Sequence, residues 1–171
     1  MIKILGFLPE ECEQAFSSFQ GLAHRLQVVE NKENIVWVDD SISTTPETAI
    51  AALKAFDKGE EMVLIAGGFD RGQDYSELIK FLKEKKNRIK PVLMPDTGRK
   101  IADEAKLQNV EFTFVDNMQT AVKEAKNILQ KGGIVILSPA APSYNLYKNF
   151  EARGEDFINC IKMLAKDKKM N

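Results

Sequence analysis

The chain has 171 residues, 44% of them hydrophobic and 29% charged, with a formal net charge of −1. That length suits one domain with a core needing neither disulfides nor a metal, and the balanced charge excludes the clustered basic excess of a nucleic-acid-binding surface. Two cysteines (Cys12 and Cys160) and one histidine (His24) allow no zinc site of common spacing, so reduced thiols in a cytoplasmic protein are expected; no apolar run approaches the ~20 residues of a membrane span.

In chain order, residues 9–19 read as a short amphipathic helix with Pro9 in its first turn. Residues 24–29 and 35–38 are strand-like and joined by the polar segment 30–34, a hairpin with weak turn chemistry. The rhythm then changes to strand, loop, helix. Residues 47–56 form a helix behind Pro46, and 62–66 are a continuous apolar run, the pattern of a strand buried on both faces. A helix follows over 75–86, a strand over 91–94, a helix over 98–107, a strand over 112–115 and a helix over 118–129. After Gly132-Gly133 comes a strand over 134–137, then a last helix from 145 or 150 to 165 and a solvated tail from Lys166. Alternation of this kind predicts an α/β, Rossmann-like, doubly wound and mostly parallel sheet, helices on both faces, with an N-terminal β-hairpin.

Ligands bind such sheets at the carboxyl ends of the strands. Three loops there are rich in polar, glycine or proline residues: 39–46 (DDSISTTP), 67–72 (GGFDRG) and 138–144 (SPAAPSY). In the first, Thr44 or Thr45 either caps the following helix, with Glu47 or Thr48 in support, or helps free N–H groups hold an anion; Asp40 could reach a ribose or a metal-bound phosphate. In the second, Gly67-Gly68 permits unusual φ or close approach to a ligand. Arg71 is either a surface arginine on a turn or the two-pronged partner of a carboxylate. The third is either a proline-stiffened turn or a second carboxylate site. The chain has no phosphate-loop motif, no dinucleotide fingerprint and no nucleophile elbow, and His24 has no evident acid or nucleophile beside it. Alone, the chain lacks the means to activate ATP.

Taken together, four segments resemble the C-terminal domain of the Mur ligases. Residues 19–26 (FQGLAHRL) are similar to the segment that opens that domain. Residues 39–45 (DDSISTT), 67–72 (GGFDRG) and 137–157 (LSPAAPS…KNFEARGEDF) resemble motifs of the D-glutamate-adding member. The D-N-P-[RAK] motif of the diaminopimelate- or lysine-adding relatives is absent, which favours D-glutamate. The resemblance implies a chemistry in which ATP phosphorylates the carboxylate of UDP-N-acetylmuramoyl-L-alanine and the amine of D-glutamate attacks the acyl phosphate. It also implies the allocation of residues. Arg25 would contact ATP phosphates and Asp40 the ribose. Thr44, Arg71, Ser143, Tyr144 (through its backbone) and Phe150 would hold D-glutamate, with no catalytic residue and no metal ligand assigned. ATP and Mg2+ would be bound mainly by a central domain of the same protein. Residues 1–20 would be the end of that preceding domain or a linker helix, and 21–171 the C-terminal domain. Some family members carry lysine where this chain has Ile42 or Arg71. A non-catalytic module of the same fold, binding an amino acid or nucleotide, and a structural domain are the alternatives.

Overall fold

The computed structural model describes residue 13, residues 21–144 and residues 146–167. The helix expected over 9–19, Cys12 and all but residue 13 of the segment 1–20 lie outside the described residues. Strands β1 (Gln27–Lys32) and β2 (Ile35–Asp39) lead into helix α1 (Pro46–Phe56). Then β3 (Met62–Ala66), α2 (Ser76–Glu84), β4 (Ile89–Leu93), α3 (Thr97–Leu107), β5 (Thr113–Phe114), α4 (Met118–Ile128), β6 (Gly133–Leu137) and α5 (Phe150–Asp167) alternate. The sheet order is β1-β2-β6-β3-β4-β5. The β1-β2 pair is antiparallel and every other pair parallel.

Side chains of successive strand residues go to opposite faces, and both faces are covered. Val38, Leu64, Ile136 and Leu93 pack under α1, α2 and α3, through Leu53, Leu78 and Ile101. Their neighbours Trp37, Ile65, Val135 and Val92 pack under α4 and α5, through Val122 and Phe157. All of β3 is buried, which is why it reads as an uninterrupted apolar run. Among the described residues no helix is long and apolar enough to cross a membrane.

Several boundaries differ from expectation, and those around the hairpin for physical reasons. The hairpin turn is not the five-residue segment 30–34 but Glu33-Asn34 alone, both in the left-handed region (φ 54° and 63°), as a two-residue turn between twisted strands requires. Glu30 to Lys32 continue β1, with a register irregularity between Val28 and Glu30. Because β1 is the sheet's edge, polar residues there cover no core and carry no apolar pattern. The strand starts at Gln27 rather than 24, since His24 and Leu26 also adopt positive φ (59° and 47°). The last helix begins at Phe150 and runs to Asp167, past the expected end at 165.

Candidate functional site

The three polar loops follow β2, β6 and β3, which are consecutive in the sheet, and they are bonded to one another. Gly67 N–H donates to the Pro139 carbonyl (2.9 Å) and Phe69 N–H to that of Pro142 (2.8 Å). Gly68 (φ 159°) lies so close to the Pro142 carbonyl oxygen that a Cβ would collide with it; Gly67 (φ 129°) is likewise pressed on the Met94 backbone, a fit that only glycine allows. Ser138 Oγ donates to Asp40 Oδ2 (2.8 Å), and Gln73 Nε2 donates to the Thr44 carbonyl (2.9 Å).

A buried arginine clamps the first and third loops. Arg153, on α5 and 1% exposed, donates from Nε to Ser41 Oγ (3.1 Å), from Nη2 to the Ser41 carbonyl (2.8 Å) and from Nη1 to the Ala141 carbonyl (3.0 Å). Burial lowers its pKa from 12.5 to about 10. Ser41 Oγ in turn donates to the Phe150 carbonyl (2.8 Å). Sequence reasoning gave Arg153 no role, yet it stands on the apolar stripe of α5 with Phe157, Cys160 and Ile161, a helical spacing at which a charged residue needs internal partners.

His24 does have an acid beside it, contrary to the sequence reading. Its Nδ1 is 2.7 Å from Asp39 Oδ2, its ring meets Phe150 edge-on at 6.1 Å, and its carbonyl accepts from Ile42 N–H (3.1 Å). Gly154 packs against this pair: a Cβ there would collide with His24 Nδ1 and stand 2.6 Å from Asp39 Oδ2. Asp39 Oδ1 accepts from Ser41 N–H (2.9 Å).

The residues expected to bind ligand fall along this edge. Arg71 is exposed, has no ion pair among the described residues, and holds its guanidinium 5.6 Å from the ring centre of Tyr144, itself 61% exposed. Thr44 is half-buried and Ser143 buried, and Phe150 opens α5. The cap of α1 is Thr45, whose hydroxyl accepts from Thr48 N–H in a reciprocal capping box, leaving Thr44 outside the cap. Arg25 is exposed. Asp40 is 5% exposed; besides Ser138 it accepts from Leu26 N–H (3.2 Å), and burial raises its pKa above 3.8 despite those bonds. Cavities of about 350 Å³ between α2 and α3 and about 30 Å³ beside β1 lie elsewhere and include none of these residues. Among the described residues, no group of three or more His, Cys, Asp or Glu side chains could hold a metal ion.

The family model for the Mur ligase glutamate ligase domain matches residues 24–141. This chain belongs to that Mur ligase family. It is 40% identical over 152 residues to a UDP-N-acetylmuramoyl-L-alanine–L-glutamate ligase of a Micromonospora strain, covering 88% of this chain and 33% of that protein. It is 32% identical over 164 residues to the UDP-N-acetylmuramoylalanine–D-glutamate ligase of Pseudothermotoga lettingae, covering 96% of this chain and 37% of that protein. The chain thus spans about a third of the length of these Mur ligases. Among solved structures, a MurF ligase from Thermotoga maritima in complex with ADP aligns over 98% of this chain and 36% of its own, with a TM-score of 0.58 and 17% identity, a likeness of fold. In this Mur ligase domain the three interlocked loops all lie within or next to the matched span.

Proposed function

We propose that this chain is the amino-acid-binding domain of an ATP-dependent ligase that joins D-glutamate to UDP-N-acetylmuramoyl-L-alanine. The observation that carries the reading is the convergence of the three loops at one sheet edge, with Arg71, which has no ion pair among the described residues, beside Tyr144 of the third loop. Glutamate is a dicarboxylate, so it calls for a cation together with several N–H and O–H donors. The names of the relatives agree on glutamate and divide between its enantiomers; D-glutamate follows the motif resemblance.

In this reaction the muramoyl-alanine carboxylate takes the γ-phosphoryl group of ATP and ADP leaves. The glutamate amine, having lost its proton, attacks the acyl carbon, and inorganic phosphate leaves. The domain contributes orientation: Arg71, Thr44, Ser143, the Tyr144 backbone and Phe150 fix glutamate so that its amine faces the acyl phosphate, which is worth a large effective molarity. Arg25, exposed at the start of the domain, would meet ATP phosphates. A ribose hydroxyl would donate to the lone pairs that Ser138 and Leu26 leave open on Asp40. Magnesium, ATP and the UDP-sugar would be held mainly by other domains of the protein.

The test is phosphate release from ATP and UDP-N-acetylmuramoyl-L-alanine by the complete protein, with D- or L-glutamate as acceptor. Release that requires D-glutamate supports the proposal. Release with L-glutamate alone overturns the enantiomer, and release with neither favours a non-catalytic binding module.

A further inference from the structure

The loops after β2 and β3 carry the residues assigned to glutamate, Thr44 and Arg71, yet they are separate excursions from strands that are not neighbours, since β6 lies between them. Something must set the distance between them. The segment that carries Arg71 is tied to the third loop by Phe69 N–H donating to the Pro142 carbonyl (2.8 Å), but among the described residues no backbone bond ties it to the first loop. Gly72 N–H turns back onto Asp70 Oδ1 (2.7 Å), and Ser76 N–H onto Asp74 Oδ1 (2.9 Å); both bonds are local and fix no distance to another loop.

Gln73 supplies a direct link to the first loop. Its Nε2 donates to the Thr44 carbonyl at 2.9 Å, across 29 residues of sequence. Its Oε1 lies 3.2 Å from the Tyr75 hydroxyl, which is also 3.2 Å from the Ala140 carbonyl in the third loop. Its own carbonyl accepts from Lys100 Nζ (2.9 Å), tying the segment to α3. One half-buried side chain therefore touches the first loop directly and shares the single hydrogen of the Tyr75 hydroxyl with the Ala140 carbonyl of the third, two residues from Arg71 and with only Gly72 between.

We infer that Gln73 is a positioning residue for the glutamate site, its side-chain amide bridging the Thr44 and Arg71 loops and so setting the spacing of the groups that receive the amino acid. This deepens the glutamate-ligase reading and rests on it. The amide is suited to the task because it is at once a donor and an acceptor. A carboxylate of the same length keeps the acceptor for Tyr75 but turns an oxygen towards the Thr44 carbonyl. A thioether of similar length keeps the packing and loses both bonds.

The experiment uses Gln73→Glu and Gln73→Met in the complete ligase, with KM for glutamate, KM for ATP and thermal midpoint measured for each. The loss of one such hydrogen bond predicts a rise of about threefold to tenfold in glutamate KM, with ATP KM unchanged and the midpoint lowered by only about 1–6 °C. An unchanged glutamate KM in both variants, or equal rises in both KM values, overturns the inference. A second readout does not need turnover. In the 171-residue chain, Gln73→Glu should shift the backbone amide resonances that follow the Thr44 carbonyl as well as that of Arg71. If only residues adjacent to Gln73 in sequence shift, the bridge does not exist. If the wild-type ligase shows no glutamate-dependent turnover, the parent reading fails, and the resonance result alone decides the bridge.

Discussion

Replacing Arg153 by methionine removes the three hydrogen bonds that hold the loops after β2 and β6 to α5, while keeping most of the volume. Bonds from a charged donor are worth about 1.5–3 kcal/mol each, a gross of about 5–9 kcal/mol. Against this stands the cost of keeping the guanidinium from water. Its pKa falls from 12.5 to about 10, which corresponds to about 3 kcal/mol that the variant recovers. The difference, about 2–6 kcal/mol, brackets the usual cost of about 3–5 kcal/mol for breaking a buried charged pair from one side. It translates to a fall of about 4–24 °C in the thermal midpoint for a domain of this size. Urea unfolding followed by the emission of Trp37, the chain's one tryptophan, is a suitable assay: Trp37 is buried and packs 6.0 Å from Phe157 on the same helix. Arg153→Lys should recover little, because an ammonium cannot reach three acceptors with the geometry of a planar fork. A change within about 0.5 kcal/mol, the range of surface substitutions, would refute the clamp.

Three further outcomes are expected. If the proposed function holds, Arg71→Ala in the complete protein should raise glutamate KM about tenfold to a hundredfold and leave ATP KM unchanged, as steady-state kinetics would show. Gly154→Ala should destabilise the chain by about 1–3 kcal/mol through collision with His24 and Asp39, although the same change in an open helix would stabilise it by up to about 1 kcal/mol; the sign of the shift in urea midpoint decides. Because the Asp40 pKa is raised above 3.8, the folded state takes up protons there more readily than the unfolded chain. Its contribution to stability is therefore full below 3.8 and is lost as pH rises through the folded value. Asp40→Asn, whose amide can still accept from Leu26 and donate to Ser138, should flatten that decline and be no less stable at neutral pH, measured by urea midpoints from acid to neutral pH.

The alternation of strands and helices was legible because parallel strands covered on both faces must be apolar throughout, as Met62 to Ala66 are. The convergence of the three loops was legible too, because the polar and glycine-rich loops all follow the carboxyl ends of strands. Long-range pairing was not. His24 and Asp39 are 15 residues apart, and Gln73 and Thr44 are 29 apart, with nothing in the spacing to join them. The extension of β1 through Glu30 and Lys32 was hidden because an edge strand carries no apolar alternation, and the turn at Glu33 because glutamate does not advertise positive φ. Arg153 could have been found: an arginine on the apolar stripe of an amphipathic helix calls for buried acceptors. Gly154 was visible only as a motif letter, since its reason is the ring of His24 packed against it.

The central claim is that glutamate is received at the edge where Arg71 and Tyr144 meet. The most direct measurement is arginine-selective labelling of the complete ligase with phenylglyoxal, read peptide by peptide in mass spectra, with and without glutamate in the presence of ATP and the UDP-sugar substrate. Arg71 is exposed and should label freely in the absence of glutamate; the account predicts that glutamate protects it. Labelling of Arg71 that glutamate leaves unchanged at saturating concentration would contradict the account.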